Sequence, residues 1–98
     1  MIIEVTKDNP IVLGKNPVLL DFYAEWCGPC KLTKKHLEEY CEEHPDLIIY
    51  KINVDEQPDF TETFNVINLP TLIYTTLDDV LWRHIGLMTK KQLEEKLS

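Results

Sequence analysis

Apolar residues are distributed along this chain in two rhythms, short continuous runs and recurrences every three or four residues, and the two alternate. That order predicts an α/β layer architecture around a central, largely parallel sheet. Met1–Thr6 is a short β-prone run, and Asp8-Asn9-Pro10 is placed to open one or two turns of helix before Gly14 ends them. Val18–Ala24 is apolar on both alternating faces except at Asp21, the pattern of a central strand covered by helices. A helix is predicted from near Cys27 or Pro29 to His44, where Pro45 stops it. Within it Cys30, Thr33 or Lys34, Leu37, Tyr40 and Cys41 recur at helical spacing, so one face is buried.

Leu47–Val54 reads as a second buried strand, interrupted only by Lys51. Two apolar strands that each carry a single charge, Asp21 and Lys51, invite pairing. Pro58–Phe64 reads as a short helix opened by its proline. Leu72–Thr75 and Val80–Ile85 flank Thr76-Leu77-Asp78-Asp79, which predicts an antiparallel hairpin with a polar turn. Thr89 and Gln92 have the spacing of a capping box, and a last helix is expected over Thr89–Leu97 with Leu93 and Leu97 on one side. Helices should therefore flank both faces of a mixed sheet that ends in the hairpin. No repeat, linker or low-complexity stretch divides the 98 residues, so one domain spanning 1–98 is expected.

Charge narrows the function classes. Seventeen acidic residues against ten basic ones give a formal charge of −7, which repels phosphate backbones and argues against nucleic acid as a partner. No apolar run approaches the ~20 residues needed to span a bilayer, so no membrane association is expected. The opening MIIEVTKDNP resembles a first strand more than a secretion signal, and a cytoplasmic monomer is the expectation.

Three cysteines cannot all pair with each other, so at least one thiol stays free. Cys27 and Cys30 stand at a predicted strand-to-helix junction, where a metal site, a structural staple and a redox dithiol compete. Zinc needs about four ligands. His36 lies six residues beyond Cys30, roughly 600° round a helix, while Cys41 and His44 lie about 16 and 20 Å along its axis. An intact helix cannot bring these groups into one tetrahedron. A bridge across two intervening residues closes too short a loop to stabilise the fold much. A reversible dithiol remains. At a helix start, unpaired N–H groups and the positive end of the dipole favour a thiolate, which makes Cys27 the expected nucleophile with a lowered pKa. Cys30, one turn later and facing inward, is placed to attack the mixed disulfide that Cys27 forms. Gly28 permits close approach of a substrate backbone, and Pro29 fixes φ where a helix tolerates it.

Trp26-Cys27-Gly28-Pro29-Cys30 closely resembles the active-site sequence of the thioredoxin family. The likeness continues through Lys51-Ile52-Asn53-Val54-Asp55, Leu69-Pro70-Thr71 and Gly86, in the family's order. It implies a thioredoxin fold and a protein-disulfide reductase that carries electrons between dithiols with no bound cofactor and no metal. It further implies that Asp21 takes the proton of the resolving thiol and that Lys51 modulates Asp21. Pro70 would be a cis-proline facing the dithiol, with the Leu69 backbone free to pair with an extended peptide. Trp26, Gly28, Pro29, Leu69, Ile85 and Gly86 would form the apolar rim of that groove. The implied partners are disulfide-containing proteins and an NADPH-dependent thioredoxin reductase that returns the electrons. A module that only binds, with dispensable thiols, and a reductase dedicated to one partner are the competing readings.

Several positions depart from the family's pattern. Tyr23 stands where many members carry a second tryptophan, and it can pack beside the site while offering a hydroxyl. Lys35 replaces a mid-helix proline, and Asn68 replaces a glycine next to the proline loop. Cys41 is expected to be a small core residue, Trp82 a packing residue, and His36, His44 and His84 to have no catalytic role.

Overall fold

The computed structural model describes residues 1–97, and in it all six residues of Val18–Tyr23 are buried. This strand, β2, follows β1 (Ile2–Glu4) and leads into α1 (Gly28–Glu43). The chain continues through β3 (Ile49–Asn53), α2 (Pro58–Thr63), β4 (Thr71–Thr75), β5 (Val80–Ile85) and α3 (Lys90–Leu97). These limits agree with the expected elements to within two residues, the usual fraying at element ends.

The strands form one five-stranded sheet in the order β1-β3-β2-β4-β5. β3 runs parallel to both β1 and β2, as a crossover through α1 requires. β4 is antiparallel to β2 as well as to β5, so the antiparallel part reaches one pairing beyond the hairpin. Length explains that extension. The six residues of α2 make a helix of about 9 Å, too short to return the chain to the edge where β3 began.

Helices cover both faces. Leu37 and Tyr40 of α1 and Leu93 of α3 pack with Met88 on Leu19, Ile49 and Leu72. On the other face Phe60 and Phe64 cover Leu20, Phe22, Tyr50, Ile52 and Ile73, with the Phe22 and Phe64 rings 5.7 Å apart. The two faces alternate residue by residue along β2, which is why the strand reads as apolar on both.

The helical turns expected between Asp8 and Gly14 do not form. Their backbone groups are used elsewhere: the Val12 N–H donates to the Tyr50 hydroxyl at 3.2 Å, and the Gly14 carbonyl accepts from Leu77 at 2.9 Å. Ile11 and Leu13 pack on the core while Val12 is 68% exposed, an alternation that suits an extended strap. So short a segment gains more from those tertiary bonds than from one costly helical nucleus.

Candidate active site

The β2-to-α1 junction is set by Cys27, which acts as the N-cap of α1 at φ −89° and ψ 110°. Its Sγ accepts the Cys30 N–H at 3.2 Å, the place that a serine or aspartate oxygen commonly fills. Pro29 sits in the first turn, where its missing N–H leaves no helical bond unmade. Cys30 is bonded to Cys27 through sulfur, with the Cα atoms 5.3 Å apart. Nothing stands within 4 Å of where a Cβ on Gly28 would lie, so that side of the junction is open.

Both cysteines are 5% exposed, yet they border different cavities. Cys27 lines an apolar groove of about 570 Å³ with Trp26, Gly28, Pro29 and Leu69. Val54, Thr61, Val66, Ile67 and Asn68 complete it, and of these only Asn68, beside the proline loop, was singled out by the sequence. The signal for Ile67 was its apolar side chain outside any periodic element; it is 88% exposed. Cys30 borders a polar pocket of about 450 Å³ with Tyr23, Glu25, Lys51 and the α1 residues Lys31, Lys34, Lys35 and Glu38.

Two further expected rim residues are held against the proline loop. Ile85 pairs with Thr71 in the sheet, and Gly86 donates its N–H to the Pro70 carbonyl at 2.8 Å. Gly86 holds φ +97°, a conformation that its missing side chain makes accessible. Both therefore adjoin the loop that carries Leu69 and Pro70, and Ile85 is 56% exposed there. The Leu69–Pro70 peptide is cis and Pro70 is buried. Among the described residues no group hydrogen-bonds to the Leu69 N–H or carbonyl.

Asp21 is 1% exposed, and its Oδ1 has no hydrogen-bond partner among the described residues. Burial pushes its carboxyl up to about 7; the charge of Lys51 opposes that rise and the charge of Glu4 adds to it. Lys51 is the register partner of Asp21, as their opposite charges predicted. The Lys51 ammonium nevertheless lies over the Tyr23 ring, 4.1 Å from its centroid, and forms no ion pair with Asp21. The Tyr23 hydroxyl donates to Glu4 Oε2 at 2.7 Å. Burial first, and then that hydrogen bond, push the hydroxyl above its ordinary range. Trp26 Nε1 donates to Asp55 Oδ2 at 3.0 Å.

The remaining candidates are occupied away from the dithiol. Cys41 is a free thiol packed at the margin of the core, less buried than its place on the inward stripe implied. His36 Nδ1 accepts the Lys90 N–H at 3.0 Å, and the His44 ring stacks on Tyr40 at 4.0 Å. His84 contacts the Leu87 carbonyl at 3.0 Å, and Trp82 packs 5.5 Å from Tyr74.

Similarity to known proteins agrees with this geometry. A thioredoxin from Alicyclobacillus acidocaldarius is 42% identical over 88 residues, covering 89% of this chain and 84% of that protein. Thioredoxin 1 of Chlorobaculum tepidum is 34% identical over 93 residues, with 94% and 92% covered. The oxidized form of mitochondrial thioredoxin 3 from Saccharomyces cerevisiae superposes with a TM-score of 0.73 at 34% identity, covering 82% of this chain and 74% of that one. The thioredoxin of Fasciola hepatica gives 0.78 at 25%, covering 86% and 80%. The thioredoxin family model matches residues 2–98, and with relatives at this identity along most of its length the chain belongs to the thioredoxin family.

Proposed function

We propose that this chain reduces protein disulfides by dithiol–disulfide exchange, with Cys27 attacking and Cys30 resolving. The observation that carries the division of labour is the opposite outlook of the two sulfurs: Cys27 borders the apolar groove, Cys30 the polar pocket. In the reduced protein the Cys27 thiolate attacks one sulfur of a substrate disulfide; the other sulfur leaves as a thiolate and takes a proton from solvent. The Cys30 N–H that reaches Cys27 Sγ supports the anionic form before attack. Cys30 then gives its proton to the Asp21 carboxylate, directly or through water, and its thiolate attacks Cys27 Sγ. The Cys27–Cys30 bond forms, the second substrate thiolate departs, and two electrons have passed to the substrate.

The unpaired Leu69 peptide group beside the groove supports strand-like pairing with an extended substrate backbone. Apolar walls with few hydrogen-bonding groups support broad selection among protein disulfides. Recycling requires a two-electron donor, and membership of the family supports an NADPH-dependent thioredoxin reductase. The free Cys41 thiol suits a reducing compartment such as the cytoplasm.

The test is reduction of an unrelated disulfide protein, with a small dithiol as the electron source. Cys27→Ser is expected to abolish turnover above the rate of the dithiol alone. Cys30→Ser is expected to accumulate a mixed disulfide through Cys27. Wild-type turnover by Cys30→Ser would overturn the assignment of roles, and no Cys27-dependent turnover at all would favour a binding module.

A further inference from the structure

Three ionisable residues lie in one row across the sheet. Lys51 on β3 is the register partner of Glu4 on β1 and of Asp21 on β2, so the three side chains leave the sheet on the same face. The single cation is thus flanked by two carboxylates. Tyr23, two residues along β2 from Asp21, fixes the arrangement: its hydroxyl is held by Glu4 Oε2 at 2.7 Å, and its ring carries the Lys51 ammonium at 4.1 Å. We propose that Glu4 is a positioning residue for proton transfer at Asp21, setting through Tyr23 and Lys51 the pH at which Cys30 resolves the mixed disulfide.

The inference rests on Asp21 being the proton acceptor. A carboxylate beside Lys51 offsets part of the cation's field, and the field left for Asp21 is weaker than a lone lysine would supply. Glu4 therefore keeps Asp21 protonated to higher pH. The hydrogen bond to Tyr23 prevents the exposed Glu4 side chain from turning away into water. Other charged groups face this region from each neighbouring element. Cys30 and Tyr40 are the titratable groups on the buried stripe of α1, while Lys31, Lys34, Lys35 and Glu38 border the pocket that Lys51 shares with Cys30. Glu25 follows β2 at the same pocket; on β4 the partner of Asp21 is Leu72, which does not titrate, and beyond it on β5 stands His84. Glu4 differs from all of these in being tied by a hydrogen bond to the aromatic ring under Lys51.

The experiment follows the Asp21 carboxyl by carbon-detected NMR titration and, in parallel, the pH dependence of mixed-disulfide resolution in wild type, Glu4→Gln and Asp21→Asn. Glutamine retains an oxygen for the Tyr23 hydroxyl and removes only the charge. The expected result is a shift of both midpoints toward acid by about half a pH unit in Glu4→Gln. The shift should shrink in 1 M salt, where the Debye length is about 3 Å. Tyr23→Phe should move the midpoint in the wild-type background and leave it unmoved in Glu4→Gln, because its effect passes through the carboxylate. If Asp21→Asn removes the ionisation from the rate profile while Glu4→Gln leaves the midpoint at the wild-type pH, the role of Asp21 stands and the role of Glu4 falls. If Asp21→Asn leaves resolution unchanged across the range, both fall.

Discussion

A carboxylic acid at position 21 makes the stability of this protein depend on pH in the sense opposite to an ion-paired carboxylate. The folded chain holds the Asp21 proton up to about pH 7, whereas the ordinary value is 3.8. The contribution to stability is therefore fully present below about pH 4 and is lost as pH rises through 7. The lost amount is on the order of 4 kcal/mol. Urea denaturation of Asp21→Asn at a series of pH values should show that dependence removed, with the variant more stable than wild type at pH 8. An unaltered slope between pH 4 and 7 would assign it to another group. Sequence reading located this residue as the one charge in an otherwise apolar strand, and its role through the family resemblance. It did not locate the ammonium of Lys51, because whether a lysine reaches a carboxylate or an aromatic ring depends on side-chain paths that register alone leaves open.

Among the elements, α3 shows how local signals can be complete. The Thr89 N–H donates to Gln92 Oε1 at 2.9 Å and the Gln92 N–H donates to Thr89 Oγ1 at 3.2 Å, closing the capping box that their spacing predicted. His36 takes the Lys90 N–H, so a third donor at this end is satisfied from α1. Thr89→Ala should cost about 1 kcal/mol, seen as a lower melting temperature, with the rate of disulfide reduction unchanged. A variant that melts at the wild-type temperature would mean that His36 and the packing of Leu93 suffice to start the helix. The strap before β2 is the contrary case. Its capping and stop residues, Asp8 and Gly14, were present, but its backbone found partners in Tyr50 and Leu77, residues far along the chain. Local signals decide an element only where no tertiary partner competes for the same groups.

At the scale of the whole molecule, the two bonded sulfurs border separate cavities, an apolar groove at Cys27 and a polar pocket at Cys30. Changes in one should leave the other alone. Ile67→Asp, which puts a charge on the most exposed wall of the groove, should raise KM for protein disulfides several-fold with little change in the resolution rate. Equal losses in both would show that the loop also holds the dithiol. The sequence by itself determined the dithiol, the alternating layers and the cost at Asp21, because these are written in spacing: two residues between cysteines, a helical stripe, a lone charge in a strand. Only the tertiary structure decided the rest. Val54 and Val66 reach the groove from segments separated in sequence, Ile85 and Gly86 are brought to the proline loop by their bonds to β4 and Pro70, and Glu4 meets Tyr23 across an intervening strand. Such contacts depend on how the strands are ordered in the sheet, and strand order is set by the sum of all packing in the core and not by any one segment.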